Sequence, residues 1–254
     1  MFRVVIPARY GSTRLPGKAL LPIADKPMLQ WVYERARASG AHEVLIATDD
    51  ERIAQVARAF GAEAVLTAAA HRCGSDRIAE VVRTRRWPDG DVVVNVQGDE
   101  PLIPAPLISQ VALLLAAHPE AAIATLATAI ESAHELLDPN VVKVVTDARG
   151  RALYFSRAPI PWNRDGAAAG LASQTDYRGA RRHCGIYAYR VSSLLRLTAL
   201  GTGVLEEREK LEQLRALEHG LTICVADALQ SPGPDVNTVA DLERVSALVA
   251  RGAH

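Results

Sequence analysis

Residues 2–18 read FRVVIPARYGSTRLPGK, an apolar run that passes directly into a basic loop containing two glycines. The β-branched residues at 2–7 predict a buried strand. In an open α/β sheet, ligands bind at the carboxyl ends of the strands, which is where this loop begins. Its glycines let backbone N–H groups approach phosphate oxygens, and Arg14 and Lys18 can offset phosphate charge. The stretch therefore predicts an α/β fold with a phosphate-binding loop after its first strand.

The spacing of this loop disfavours two common nucleotide-binding classes. It lacks the Gly-x-Gly-x-x-Gly pattern of dinucleotide-binding folds. It also lacks the Gly-Lys-Ser/Thr ending of a Walker loop, because Ala19 follows Lys18. A solvated basic connection is the alternative interpretation of the same residues.

The rest of the chain alternates short apolar strands with amphipathic helices. Strands are predicted at 2–7, 43–48, 64–66 and 91–97, and helices at 28–39, 51–60, 75–86 and 104–117. Further strands, with no helices between them, are predicted at 121–130, 141–146, 152–156 and 183–189, followed by helices at 205–218 and 238–249 around a strand at 221–225. We predict one domain over residues 1–254, with a strand-rich insertion around 121–190 and a mobile loop at 163–179.

The bulk composition is that of a globular protein of 254 residues, with 49% hydrophobic and 23% charged residues. Lysine plus arginine equals aspartate plus glutamate at 29 each, so no overall field recruits nucleic acid or an anionic membrane. The longest apolar stretch, 111–117, is too short to span a bilayer, and the first is too short for a signal peptide. Three well-separated cysteines indicate no disulfide framework. We predict a soluble, cytoplasmic protein without nucleic-acid or membrane partners.

Asp99 follows the strand predicted at 91–97 and should lie at the carboxyl edge of the sheet, near the basic loop. A hard oxygen ligand in that place suits a magnesium ion that bridges phosphate oxygens. A helix cap or turn aspartate is the alternative interpretation of Asp99.

Seven ordered blocks of the sequence resemble the CMP-Kdo synthetases, the 3-deoxy-manno-octulosonate (Kdo) cytidylyltransferases. They are RYGSTRLPGK at 9–18, ATD at 47–49, VNVQGDEP at 94–101, PNVVKVV at 139–145, YFSRAPIPW at 154–162, HCGIY at 183–187 and KLEQLR at 210–215. The resemblance spans nearly the whole chain. It implies a three-layer, Rossmann-like and glycosyltransferase-A-like nucleotidyltransferase fold with a mixed, mostly parallel sheet and a small strand-rich dimerisation subdomain. It also implies a homodimer, Mg²⁺ as cofactor, CTP and Kdo as substrates, and a role in lipopolysaccharide synthesis.

The resemblance also assigns the site residues. The nucleotide-binding residues are Ala8, Arg9, Gly11, Ser12, Arg14, Lys18, Arg72, Gly74 and Ser75. The sugar-binding residues are Arg77, Gln97, Arg157, His183, Tyr187, Glu212 and Gln213, with a phosphate contact as the alternative role of Arg77. The catalytic residues are Arg14, Lys18 and Asp99, and the metal ligands are Asp99 and Asn237. As alternatives, Tyr187 could be a core residue, His183 a hydrogen-bonded strand residue, and Glu212 with Gln213 an exposed helix face.

The chain departs from the family at the second metal ligand. Asn237 stands where the family has an aspartate, and an amide oxygen is a neutral, weaker ligand that magnesium still accepts. Asp235 could contribute through water, although its side chain is expected to point elsewhere if the backbone is extended. A helix cap is the alternative role for Asn237. Cys73 also replaces the usual serine of the base-recognition loop.

The predicted reaction is in-line attack of the anomeric 2-hydroxyl of β-Kdo on the α-phosphorus of CTP, with release of pyrophosphate. CMP-sialic acid synthetases are the nearest alternative, but their loop usually ends in Lys-Asn, whereas Ala19 follows Lys18 here. A glycosyltransferase with an Asp-x-Asp motif is disfavoured because Gln97 precedes Asp99 by two residues. A nucleotide-binding regulator that lost catalysis is the alternative from another class, motivated by Asn237. The preference between Kdo and 8-amino-Kdo, the number of metal ions and the general base stay open.

Overall fold

A nine-stranded mixed sheet forms the centre of the computed structural model, which describes residues 1–11, 15–71, 73–167 and 170–252. The strands are β1 (Phe2–Ala8), β2 (Pro22–Ile23), β3 (Lys26–Pro27), β4 (Glu43–Thr48), β5 (Glu63–Leu66), β6 (Val92–Asn95), β7 (Ile123–Ala129), β8 (Lys143–Thr146), β9 (Ala152–Ser156), β10 (Arg181–Arg190) and β11 (Ile223–Asp227). The order in the sheet is β11-β7-β10-β6-β1-β4-β5, β8 pairs with β10 and β9, and β2 with β3 forms a separate hairpin. The pairs β1–β4, β1–β6, β4–β5 and β7–β11 are parallel, and β10 is antiparallel to its neighbours.

Helices cover both faces of this sheet. They are α1 (Met28–Ala38), α2 (Glu51–Ala59), α3 (Gly74–Arg85), α4 (Ala105–Ala117), α5 (Ala133–Leu137), α6 (Val191–Ala199), α7 (Val204–Glu209), α8 (Gln213–Glu218) and α9 (Val239–Ala250). Alternate residues of β1 enter different cores, since Val4 packs with α1, α2 and α4 while Val5 packs with α3, α6 and α8. The predicted α/β fold with a mixed, mostly parallel sheet is confirmed.

The register of the central strands decides where loops meet. β1 runs parallel to β6, with Phe2 opposite Val92 and Val5 opposite Asn95. Both strands therefore end at the same edge of the sheet, so the loop after Ala8 lies beside the segment that follows Asn95. This edge carries the candidate site, as the sequence predicted from the first strand and its loop.

The helices of the structure differ from the prediction at three places. α6 was not predicted, because it follows β10 directly and has no polar cap to mark its start. The helix predicted at 205–218 is two helices, since Lys210 adopts a left-handed conformation (φ 54°) that a lysine does not signal. Between β7 and β8 the structure has α5, whose Ser132 cap accepts a hydrogen bond from Glu135 N. That Ser-x-x-Glu pattern was the signal for α5 in the sequence.

The segment at 121–190 contributes strands to the main sheet as well as an extension beyond it. β7 and β10 lie inside the sheet order, while β8 and β9 extend from β10. The loop predicted to be mobile contains two short 3₁₀ turns, Asp165–Ala167 and Leu171–Ser173. The insertion boundary and the loop's mobility stay predictions. No helix in the described part of the chain has the length and apolar character that a membrane span requires.

Candidate active site

A cleft of about 350 Å³ opens at the carboxyl edge of β1 and β6. Its walls come from the loop after β1, the start of α3, the segment after β6 and a residue just before α9. The lining residues are Pro7, Ala8, Arg9, Lys18, Ala19, His71, Cys73, Gly74, Arg77, Gln97, Gly98, Asp99 and Asn237. The fold thus gathers at one edge eight of the residues that the sequence nominated from four separate segments.

Two glycines permit the close backbone approaches that shape this cleft. A Cβ added to Gly98 would lie 3.0 Å from the carbonyl oxygen of Pro7, so only glycine lets the turn after β6 pass so near to β1. Gly17 has a positive φ of 68°, and its N–H donates to the carbonyl of Tyr10. This bond closes the basic loop and brings Lys18 back to the edge of the sheet.

Lys18 and Asp99 form an ion pair inside the cleft. The Lys18 Nζ atom lies 2.5 Å from Asp99 Oδ2 and 3.3 Å from the carbonyl oxygen of Val236. Both side chains are mostly buried. The Lys18 ammonium thus lies between the Asp99 carboxylate and the Val236 carbonyl oxygen. Two oxygen atoms that converge in this way can also bind a metal cation.

Arg77 supplies a second buried cation, but its position is fixed by acidic and hydroxyl partners. It is only 3% exposed, with Nη2 2.9 Å from Asp49 Oδ2 and Nη1 hydrogen-bonded to Thr67 Oγ1. Arg9, in contrast, is exposed at the mouth of the cleft. Arg77 thus adds a buried guanidinium held by its partners to the wall, and Arg9 adds an exposed one.

The acidic side of the cleft fits a divalent cation. Asp99 offers a carboxylate and Asn237 an amide oxygen, and magnesium takes both kinds of ligand. Burial and the charges of Asp99 and Asp235 raise the pKa of the neighbouring Glu100 to about 8. Because Glu100 is then largely protonated at neutral pH, it does not add a full negative charge to this group.

The segment before α9 corrects two expectations about Asn237 and Asp235. Thr238 is the N-cap of α9, with its hydroxyl accepting from Asp241 N, so helix capping is not the role of Asn237. Asp235 does not point elsewhere, because Asn237 Nδ2 donates to Asp235 Oδ2. Residues two apart in an extended segment share a face, which is why these two side chains meet.

A smaller cavity of about 120 Å³ adjoins the cleft and shares Gly74 and Gln97 with it. Its other lining residues are Ser75, Asn95, Ile123, Tyr187, Tyr189, Leu197, Glu212 and Gln213. Two phenols, three amides, a hydroxyl and a carboxyl in so small a space suit a ligand rich in hydroxyl groups.

Burial shifts the pKa values of Glu212 and of the two tyrosines of this cavity upward. Glu212 Oε1 is buried without a hydrogen-bond partner, and burial raises the pKa of its carboxyl. Burial also raises the pKa of Tyr187 and Tyr189, so both phenols stay neutral. The cavity thus presents neutral donors and one polar oxygen that a ligand hydroxyl would satisfy.

Two nominated sugar residues lie outside both pockets as the structure describes them. His183 is 8% exposed, its Nε2 lies 2.9 Å from Thr125 Oγ1, and burial lowers its pKa to about 3. Arg157 donates from Nε to the carbonyl of Glu209 and from Nη1 to that of Pro139. The exposed Gly11 also lines neither pocket. These contacts suit support of the site rather than direct ligand contact.

Sequence reasoning missed several lining residues. Asn95 and Tyr189 are polar residues inside strands, and they meet only because β10 pairs with β6, which the sequence pattern does not show. Pro7, Ala19 and Gly98 have no polar side chain that would have drawn attention to them. His71 has an imidazole, which contacts the carboxylate of Glu80 in the structure. Ser12, Arg14 and Arg72 lie outside the described residues, so their assignments stay predictions.

Comparisons with known proteins define the class to which this fold and site belong. The chain belongs to the cytidylyltransferases, because the family model of that description matches residues 3–223. It is 55% identical over 248 residues to the 3-deoxy-manno-octulosonate cytidylyltransferases of Thioalkalivibrio sulfidiphilus and Pseudomonas fluorescens, with 98% of both chains covered in each case. A solved structure of CMP:2-keto-3-deoxy-manno-octonic acid synthetase complexed with CTP superposes with a TM-score of 0.88 and 42% identity, covering 99% of this chain and 100% of that one. The resemblance found in the sequence is confirmed.

Proposed function

We propose that the protein transfers the cytidylyl group of CTP to Kdo, giving CMP-Kdo and pyrophosphate. The observation that carries the proposal is the junction of two pockets with different chemistry. The larger is lined by the charged residues Lys18, Arg77 and Asp99, and the smaller by phenol, amide and hydroxyl groups with the one carboxyl of Glu212. Their shared wall, at Gly74 and Gln97, is where a nucleotide and a polyhydroxy acid would meet. Relatives of the same length that carry this activity by name support the assignment.

The side chains of the larger pocket would bind and orient the triphosphate. Lys18 offers an ammonium that can exchange its contact with Asp99 for phosphate oxygens, and Arg77 adds a fixed charge. In the reaction, a bond forms between the anomeric oxygen of Kdo and the α-phosphorus, while the bond to the β-phosphate oxygen breaks. The hydroxyl proton is released, and pyrophosphate leaves. Most of the rate enhancement would come from positioning and from neutralising charge.

Magnesium is the cofactor we propose, held by Asp99 and Asn237. When bound, it would neutralise the part of the phosphate charge that Lys18 and Arg77 do not offset. The cytoplasm is the proposed compartment, and the free thiols of Cys73, Cys184 and Cys224 fit a reducing environment. A homodimer and a role in lipopolysaccharide synthesis complete the proposal, both from the family resemblance.

A substrate panel tests the activity. The protein is incubated with Mg²⁺, either CTP or UTP, and each of Kdo, 8-amino-Kdo and sialic acid, and products are identified by mass. We expect CMP-Kdo and pyrophosphate from CTP and Kdo. Asp99→Ala should lower the rate more than about 100-fold, because it removes both a metal ligand and the partner of Lys18.

Asp89→Ala is the matched control for that variant. Asp89 is an exposed aspartate that precedes β6, at the opposite edge of the sheet from the cleft. Its replacement should leave the rate unchanged. Near-normal turnover by Asp99→Ala would rule out the role given to Asp99, and a product of sialic acid alone would rule out Kdo as the acceptor.

A further inference from the structure

Asp235 is an exposed carboxylate beside the larger cleft, and its contact with Asn237 suggests a function. We propose that Asp235 is a positioning residue that holds the amide of Asn237 with its carbonyl oxygen turned toward the cation site. The inference rests on the proposed function, because it assumes that the cleft binds a divalent cation.

The chemistry of an amide makes this contact directional. The Nδ2 group only donates hydrogen bonds, the Oδ1 atom only accepts them, and an ionised carboxylate only accepts. Asp235 can therefore be satisfied only by Nδ2, as observed. Because Oδ1 is attached to the same carbon as Nδ2, it then faces away from Asp235. The amide of an asparagine can be turned by 180°, which exchanges the positions of Nδ2 and Oδ1. Asp235 favours the orientation in which Nδ2 faces Asp235 and Oδ1 is left to bind a cation.

The backbone fixes this pair relative to the other proposed ligand. Val236, between the two residues, is completely buried, and it packs in the core with Leu15, Met28 and Trp31. Its N–H donates to the carbonyl oxygen of Asp99 over 2.9 Å. With Val236 pointing inward, the side chains of residues 235 and 237 share the other face. The Asp235–Asn237 pair is thus tied directly to the chain segment that carries Asp99.

The pair also accounts for the charge that an asparagine lacks. An aspartate at position 237 would bring one negative charge to the cation, whereas Asn237 brings none. Asp235 together with Asn237 restores that single charge at hydrogen-bonding distance from the ligand. Carboxylates at both 235 and 237 would instead repel each other. Outer partners that orient a metal ligand in this way typically contribute ten- to a hundredfold to metal affinity.

Binding of Mn²⁺ alone to the full chain, followed by electron paramagnetic resonance of the free ion, tests the inference without using catalysis. Asp235→Ala should weaken Mn²⁺ binding about tenfold. Asp235→Asn, which keeps an acceptor oxygen, should lose less. Asp89→Ala, the remote control, should bind like the unaltered protein. Thermal unfolding of each variant shows whether it is folded.

A double-variant cycle separates positioning from an independent role. If Asp235 acts through Asn237, then Asp235→Ala should lower the Mn²⁺ affinity by less than about twofold when Asn237 is already replaced by alanine. Equal costs in both backgrounds, or an Asp235→Ala variant that binds as tightly as Asp89→Ala, would overturn the inference. Failure of the unaltered chain to bind Mn²⁺ would also overturn the inference. If Mn²⁺ binds as expected while no CMP-Kdo forms in the substrate panel, the proposed function fails and the positioning role stands.

Discussion

At the scale of single residues, His183 is a histidine that the fold keeps neutral. Its ring packs edge-on against Phe155, with ring centroids 5.0 Å apart, and its Nε2 faces the Thr125 hydroxyl. Burial lowers its pKa from 6.5 to about 3. Between pH 6.5 and 3, the His183 side chain is therefore protonated in the unfolded chain but neutral in the folded chain. Its contribution to the free energy of unfolding is fully present above pH 6.5 and is lost as the pH falls toward 3.

The shifted pKa of His183 predicts that this one side chain makes the free energy of unfolding depend on pH. Between pH 7.5 and 5.5, His183 should account for a loss of about 1.4 kcal/mol in the free energy of unfolding. His183→Phe, which cannot titrate, should show a correspondingly smaller loss, although it forgoes the bond to Thr125. Urea denaturation of both proteins at the two pH values measures the difference. Identical pH slopes would show that His183 is not protonated on unfolding in this range.

At the scale of elements, the short helices α7 and α8 are joined by a buried ion pair, and the start of α8 lines part of the smaller pocket. Arg215 Nε and Nη2 lie 2.7 and 2.6 Å from the two carboxylate oxygens of Glu206. Both residues are 8% exposed. Because Glu212 and Gln213 lie between them in sequence, this pair holds the turn that presents both side chains to the cavity.

Removing one partner of that pair should destabilise the protein more than removing both. Arg215→Met leaves a buried, unpaired carboxylate, and the free energy of unfolding should fall by about 3–5 kcal/mol. The double variant Glu206→Leu with Arg215→Met should recover much of that loss. Arg208→Met, at an exposed position of α7, should change it by less than about 0.5 kcal/mol. Urea denaturation at constant pH gives the values, and a double variant no more stable than Arg215→Met would refute the argument.

The break between these helices shows where sequence reasoning stopped. The apolar periodicity at 205–218 predicted one helix, because no glycine or proline marks the left-handed residue Lys210. The Glu206–Arg215 pair joins the helices on either side of this residue, and packing of this kind can override local propensity. Strands β1, β4 and β6, in contrast, were predictable because their apolar runs are continuous and end at polar turns.

At the scale of the whole molecule, the site follows from strand order, which the sequence pattern alone does not specify. The position of Lys18 and Asp99 at one edge was predictable, since both follow parallel strands. The insertion of β10 antiparallel between β6 and β7 was not, and it brings Tyr187 and Tyr189 to the cavity. The burial of His183 and the backbone contacts of Arg157 likewise depend on packing between distant segments.

Because the larger cleft joins segments from both ends of the chain, its occupation should stabilise the whole fold. CTP with Mg²⁺ at 100 times its Kd should add about 2.7 kcal/mol and raise the melting temperature by about 5–10 °C. In Lys18→Ala, which lacks the cleft ammonium, the same CTP concentration should give a shift below about 3 °C. Lys26→Ala removes a lysine of the β2–β3 hairpin, which pairs with Glu34 of α1. This variant should keep the full shift. Scanning fluorimetry with and without CTP measures all three, and equal shifts in the two lysine variants would show that the nucleotide binds away from Lys18.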